Sequence, residues 1–290
     1  MELIPQNDAR FPYLLKEIPL APEAIYVRGK LPEESKIHVA IVGTRKCSQS
    51  SSDIAFKFGK VLAENGVVVV SGLAFGIDAA AHKGCLAGDG QTVAVLAGGL
   101  DSIYPAENKL LANSILENDG ALISEYPPKT DSLKAYFVAR NRIVSGLCKA
   151  TLLIEVPQKS GAKATARFAL EQNRDVFVVP GPASNANFTH SHDLIRQGAT
   201  LVYEPNQLLE AIGIQPVISP KKKLIKTNNL PPESQSILNV LSHAQFPLSI
   251  DKITELTKLN TRAACQLLTH LRLDHYINEN DEGYFLSNTT

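Results

Sequence analysis

Between about residue 37 and about residue 212, short runs that are apolar throughout alternate with segments whose apolar residues recur at helical spacing. No other feature limits the fold of this chain as strongly. The runs are Ile37–Val42, Val67–Ser71, Thr92–Leu96, Ala121–Ser124, Thr151–Val156, Val176–Val179 and Thr200–Tyr203. Several are β-branched without polar alternation, as strands buried on both faces are. Ile54–Leu62, Ile77–Leu86, Lys109–Leu116 and Ala164–Gln172 lie between them with helical spacing. The alternation predicts an α/β fold: an extended Rossmann-like, doubly wound, mostly parallel sheet covered by helices on both sides, rather than a barrel.

The flanks read differently. Residues 1–36 carry prolines and short apolar patches around Leu14, Leu15, Ile25 and Val27, and are expected to be a lead-in packed on the sheet domain of residues 37–212. Residues 213–232 hold Pro216, Pro220, Pro231, Pro232 and the run Lys221-Lys222-Lys223, the composition of a linker. Helical periodicity resumes over 233–290 in three sets, led by Ile237, Ile250 and Ala264. Two short segments follow, Tyr276–Ile277 and Tyr284–Leu286, so three helices and a β-hairpin, a winged helix, are expected there.

Twenty-nine Lys+Arg against 29 Asp+Glu exclude a simple polybasic nucleic-acid binder but leave room for a local basic site. No apolar run reaches the roughly 18–20 residues of a membrane helix, and MELIPQNDAR has no secretory pattern. Four cysteines without a C-x-x-C pair argue against a zinc knuckle or a disulfide framework and fit a reducing cytoplasm.

Ligands of parallel sheets bind at the carboxyl ends of the strands, and five segments there carry chemistry. Gly43-Thr44-Arg45 is followed by Ser48, Ser50, Ser51 and Ser52 at a helix start. Free N–H groups favour an anion there and Arg45 adds a fixed positive fork; a tight turn with capping serines explains the same residues equally well. The turn is neither G-x-G-x-x-G nor a Walker A loop, and Ser71 stands where an acid would hold a ribose, which disfavours an ordinary NAD site. In Ser71-Gly72-Leu73-Ala74-Phe75-Gly76-Ile77-Asp78, Gly72 and Gly76 let backbone approach a ligand closely. Asp78 falls in the first helical turn, where partnering the helix dipole is favoured over catalysis. Gly98-Gly99 opens a third turn that runs to Tyr104-Pro105 and Asn108, whose amide can also satisfy local backbone.

Arg140-Asn141-Arg142 follows Tyr136 and Phe137, a mixture suited to phosphates and stacked bases. Two apart on a helix, the arginines diverge by about 200°. One is therefore expected toward a ligand and the other against an acid such as Glu125 or Glu155, with a structural ion-pair network the equal alternative for one of them. Lys159-Ser160-Gly161, with Lys163, makes another anion cradle at a helix start, or else a pair of solvated lysines. His190 and His192 have a spacing found in metal sites, but no cysteine or acidic cluster completes a ligand set, so no metal is expected.

In this order the segments resemble the DNA-processing protein A (DprA, also called Smf) family, over roughly residues 11–200. The later matches are Ser124-Glu125-Tyr126, Arg140-Asn141-Arg142-Ile143, Val179-Pro180-Gly181 and Leu194-Ile195-Arg196-Gln197-Gly198-Ala199. Val138 departs from the family's usual proline, Ala162, Lys163 and Ala164 from its S-G-S-L-I-T-A pattern, and His190 and His192 from its glycine and asparagine. The resemblance implies single-stranded DNA binding in the Rossmann-like domain. Arg45, Lys159 and Lys163 would neutralise phosphates. Ser71, Ser160 and the glycines Gly43, Gly72, Gly76 and Gly161 would offer close contacts, with Arg140 and Asn141 lining or supporting the groove. It further implies a cytoplasmic homodimer that delivers RecA recombinase onto incoming strands in natural transformation and helps with strands coated by single-strand-binding protein, with no cofactor and no nucleotide hydrolysis.

Two other readings compete. A nucleoside-monophosphate phosphoribohydrolase would share the architecture and could use Glu125 or Glu155 as its acid, but the P-G-G-x-G-T-x-x-E motif is missing. Alternatively, the third C-terminal helix would present Thr261, Arg262, Gln266 and His270 to a major groove. The tail from Gly213 holds eight basic and seven acidic residues, four of the basic ones in the linker, so core packing and partner binding are favoured there.

Overall fold

The computed structural model describes residues 1–216, 230–244, 247–274, 276–280 and 283–286. The chain divides into two compact units, Met1–Val217 and Ile218–Thr290.

In the first unit the elements run β1 (Glu2–Pro5), α1 (Tyr13–Lys16), β2 (Ala24–Gly29), β3 (His38–Gly43), α2 (Gln49–Glu64), β4 (Val68–Ser71), α3 (Ile77–Ala87), β5 (Thr92–Val95), α4 (Lys109–Glu117), β6 (Ala121–Ser124), α5 (Lys134–Gly146), β7 (Ala150–Ile154), α6 (Ala162–Glu171), β8 (Asp175–Val178), α7 (Thr189–Arg196), β9 (Thr200–Leu201) and α8 (Pro205–Ala211). One nine-stranded sheet has the order β1-β2-β6-β5-β4-β3-β7-β8-β9. The seven strands from β6 to β9 are parallel, β2 pairs antiparallel with β6, and β1 antiparallel with β2.

Side chains alternate across the strands, so each all-apolar strand feeds two cores. Ala40 and Val42 of β3 join Val68, Val70, Val93 and Ile123 on one face. Val39 and Ile41 join Val69, Leu152 and Phe177 on the other, under Phe58 and Leu62 of α2. This two-sided burial is why β4 and β7 have no exposed residue, and it gives the doubly wound α/β fold expected from the sequence.

The first 36 residues contribute two strands that the apolar-run pattern does not reveal. β2 buries only Ile25 and Val27, two apart, and exposes Arg28 and Gly29. A half-buried antiparallel strand shows alternation and not a continuous run. β1 lies at the sheet edge, where Pro5 costs no ladder bond.

The second unit contains α9 (Pro232–His243), α10 (Ile250–Thr257), α11 (Thr261–Leu273) and a ribbon of β10 (Ile277–Asn280) paired antiparallel with β11 (Gly283–Leu286). Ile237, Leu238, Leu241, Ile253, Leu268, Leu271 and Ile277 form its core. Ser249 and Asn260 cap α10 and α11 by accepting from the N–H groups of Lys252 and Ala263. Of the expected linker, residues 217–229 with the lysine run lie outside the described residues, as do Asp281 and Glu282. Among the described residues no helix is long and apolar enough to cross a membrane.

Candidate nucleic-acid interface

Because the seven strands run parallel, the turns after β3, β4, β5, β6, β7 and β8 open at one end of the sheet. The first two turns interlock there. Gly76 takes φ +74° and lies where a side chain would strike the backbone of Thr44 and Arg45, while the Ile77 N–H donates to the Thr44 carbonyl at 3.3 Å. Gly43 is closed in by the Ile154 carbonyl and the Ile77 side chain, so its missing Cβ serves the packing of β3 against β7 and α3. Asp78 accepts from the N–H groups of Gly72 (3.1 Å) and Ala74 (3.4 Å), tying the β4 exit turn to the start of α3. Burial pushes its carboxyl above the ordinary value, against Arg140 and the two N–H groups. Asn108 satisfies backbone, its Nδ2 donating to the Leu73 carbonyl at 2.8 Å.

Two residues expected at a ligand surface are inside the protein. Ser71 is fully buried, and its hydroxyl donates to the Ile41 carbonyl at 2.6 Å; it stitches β4 to β3 and has no surface to offer a phosphate. Arg140 is 4 % exposed, with Nη1 donating to the carbonyls of Gly72 (2.7 Å) and Val95. Burial lowers its pKa to about 10, opposed by Asp78. Arg140 supports the rim from beneath. Arg142 forms a paired fork on Glu125, at 2.9 and 2.7 Å, so both arginines are committed internally. Glu155 is not an arginine partner at all; Ser48 and Asn187 hold it.

Asn141 bridges inside and outside. Its Oδ1 accepts from Arg140 Nε and its Nδ2 donates to the Gly161 carbonyl, both at 3.2 Å. Lys159, Gly161 and Lys163 are exposed around the start of α6, and Ser160 is half-buried, its hydroxyl accepting from the Ala162 N–H at 3.3 Å. Arg45 is exposed, with its guanidinium carbon 5.0 Å from the centre of the Phe137 ring. Among the described residues Arg45, Lys159 and Lys163 form no ion pair. Three cations without a direct carboxylate partner thus stand at the strand-end side of the sheet, an arrangement that attracts phosphates.

Around the expected pair Tyr136 and Phe137 the structure gathers further aromatics, Phe75, Tyr104 and Tyr126. Tyr104, 53 % exposed, packs edge-on to Phe137 at 5.4 Å, and Phe75 is 42 % exposed. Tyr126 and Tyr136 stack at 4.1 Å. Phe75, Tyr104 and Tyr126 stand in turns, outside any strand or helix periodicity, which was the available signal, whereas Tyr136 and Phe137 lie in α5. His192 donates from Nε2 to the Gly181 carbonyl at 3.1 Å, and His190 Nδ1 lies 3.9 Å from Asp193.

Residues 2–213 match the model of the family described as DNA recombination-mediator protein A. The chain is 43% identical over 208 residues to protein Smf of Escherichia coli, covering 72% of this chain and 56% of that protein. It is 41% identical over 202 residues to the DNA processing protein DprA of Streptococcus pneumoniae, covering 70% and 71%. It thus spans little more than half the length of the E. coli relative. The S. pneumoniae DprA structure superposes with a TM-score of 0.68 at 38% identity, over 72% of this chain and 73% of that one. The DNA processing protein A of Helicobacter pylori, whose structure concerns its single-stranded DNA binding mode, does so with 0.63 at 27% identity, over 69% and 92%. Motif order, sheet topology and these likenesses agree, and the chain belongs to the DNA recombination-mediator protein A family.

Proposed function

We propose that this chain binds single-stranded DNA along the strand-end rim and acts, without catalysis, as a mediator that delivers RecA onto the bound strand in DNA processing and natural transformation. The observation that carries the binding step is Arg45, an exposed guanidinium with no carboxylate partner, seated over Phe137 beside Tyr104. A cation next to aromatic faces fits a phosphate with an unstacked base, which only an unpaired strand supplies. Lys159, Ser160, Gly161 and Lys163 extend the rim, and Gly72, Gly76 and Asn141 shape it. The single-stranded DNA binding of the H. pylori relative supports the same reading. A non-enzymatic role accords with Glu125 and Glu155 both being engaged in internal hydrogen bonds.

The remaining assignments rest on the family. A homodimer is supported by the sheet edge at and just after β9, where Leu201 and Tyr203 are 43 % and 63 % exposed, and a cytoplasmic location by the resemblance to the family alone. Delivery of RecA to strands coated by single-strand-binding protein is supported only by membership of a recombination-mediator family. The three helices and antiparallel ribbon of the second unit support a winged helix. Its Arg272 is paired with Glu279, which favours partner binding over duplex readout.

The deciding experiment is a titration of single- and double-stranded oligonucleotides against the whole chain and against Arg45→Ala and Lys159→Ala. Tighter single-strand binding, weakened in both variants and falling with salt, is expected. Equal affinity for duplex, or no loss in either variant, refutes the proposal.

A further inference from the structure

The turns after β3, β7 and β8 meet where the strand order reverses, since β3 and β7 are neighbours whose crossovers leave in opposite directions. In open α/β sheets this crevice receives the phosphate of a nucleotide, held by N–H groups at the start of the first helix. In this protein a side chain fills that place. Glu155, directly after β7, is fully buried. Its Oε2 accepts from the backbone N–H of Ser48 at 2.8 Å and from the Ser48 hydroxyl at 3.0 Å, where Ser48 caps α2. Its Oε1 accepts from Asn187 Nδ2, in the turn after β8, at 2.8 Å. Both oxygens are thus held by donors from the two flanking turns. The backbone of residue 155 is left-handed, at φ 51°, and its carbonyl accepts from the Thr44 N–H at 3.2 Å, which clamps it to the exit of β3. Among the described residues no cation pairs with Glu155. Neutral donors and a helix start carry the whole charge, as they would carry a bound phosphate.

We propose that Glu155 is a built-in anion whose carboxylate takes the place of a nucleotide phosphate at the switch point and so keeps mononucleotides and pyrophosphate out of the crevice. The ligands it excludes are phosphate monoesters and pyrophosphates. A phosphodiester strand would be met farther out, by Arg45, Lys159 and Lys163. The inference concerns the crevice alone and stands whether or not the rim binds DNA.

The test titrates inorganic pyrophosphate into the whole chain, wild type and Glu155→Ala, at constant ionic strength, by calorimetry and thermal unfolding. Alanine frees the Ser48 and Asn187 donors. The variant is therefore expected to bind pyrophosphate on the order of tenfold tighter than wild type or better, and to gain in Tm where wild type does not. If the variant does not fold unaided, its refolding yield with pyrophosphate against chloride gives the same reading. A variant that gains neither affinity, Tm nor yield over wild type overturns the inference, as does a wild type that binds pyrophosphate as tightly as the variant.

Discussion

Nη1 of Arg140 donates to the carbonyl oxygen of Gly72 at 2.7 Å, and the same guanidinium occupies the space that a side chain on Gly72 would need. A buried cation thereby shapes the β4 exit turn, which Gly76 locks to Thr44 and Arg45. The buried arginine and the exposed one thus border the same pair of interlocked turns.

Arg140→Leu should therefore cost about 3 kcal/mol or more of stability, because buried carbonyls lose a charged donor and Asp78 loses its nearby cation. Gly72→Ala should cost about 1–3 kcal/mol by overpacking the same spot. Urea unfolding measures both. Conditions that keep Arg140→Leu folded should show weaker single-strand binding with an unchanged salt slope, since Arg140 touches no phosphate.

Arg45→Ala should behave in the opposite way. Stability should hold, and the slope of log affinity against log salt should fall by about 0.7, the share of one phosphate on a single strand. Tyr104→Ala should weaken binding by about 1–3 kcal/mol with little change in slope, as the loss of a stacking surface does. An oligonucleotide titration at several salt concentrations separates the two effects.

Gly161→Ala isolates the role of bare backbone. Gly161 has φ −63° and ψ −26°, and a methyl group there would meet no atom within 4 Å. The substitution should leave Tm unchanged or raise it, by up to about 1 kcal/mol in stability. A severalfold loss of single-strand affinity in this unimpaired protein would show that a phosphate passes against residue 161. Unchanged affinity would place the strand elsewhere.

Acid should find two weak points. His82 is fully buried. Its Nδ1 donates at 2.7 Å to the Thr92 hydroxyl, which itself donates to the Val69 carbonyl, and burial followed by the charge of Arg140 lowers its pKa to about 3. The unfolded chain takes up a proton near pH 6.5 and the folded one does not. This contribution is full above pH 6.5 and declines by about 1.4 kcal/mol per unit as pH falls toward 3. Glu155 has a lowered carboxyl pKa, because Ser51, Ser48 and Asn187 outweigh the upward push of burial. Its contribution is present above the ordinary carboxylate pKa and is lost on acidification below it. Denaturation between pH 7 and 4 should show a shallower loss in His82→Gln than in wild type.

By itself the sequence determined the parallel sheet and the end of it that matters. A strand buried on both faces must be apolar throughout, and β-branched runs closed by glycine turns announce both the strand and its carboxyl end. It also put the cations Arg45 and Lys159 in those turns and Lys163 at the helix start that follows. It could not say which polar residues of a turn look outward. Ser71 and Ser160 are both serines near glycines, yet one is fully buried against the Ile41 carbonyl and the other is only half-buried, at the start of α6. Arg140 and Arg142 differ by two positions, yet one meets backbone carbonyls and the other Glu125. Glu155 found Ser48 across 107 residues of chain and not the arginine that charge alone suggested. Those choices depend on which buried donors and acceptors the packed sheet leaves unsatisfied, and only the tertiary structure sets that, because distant strands must be side by side before the groups exist as partners.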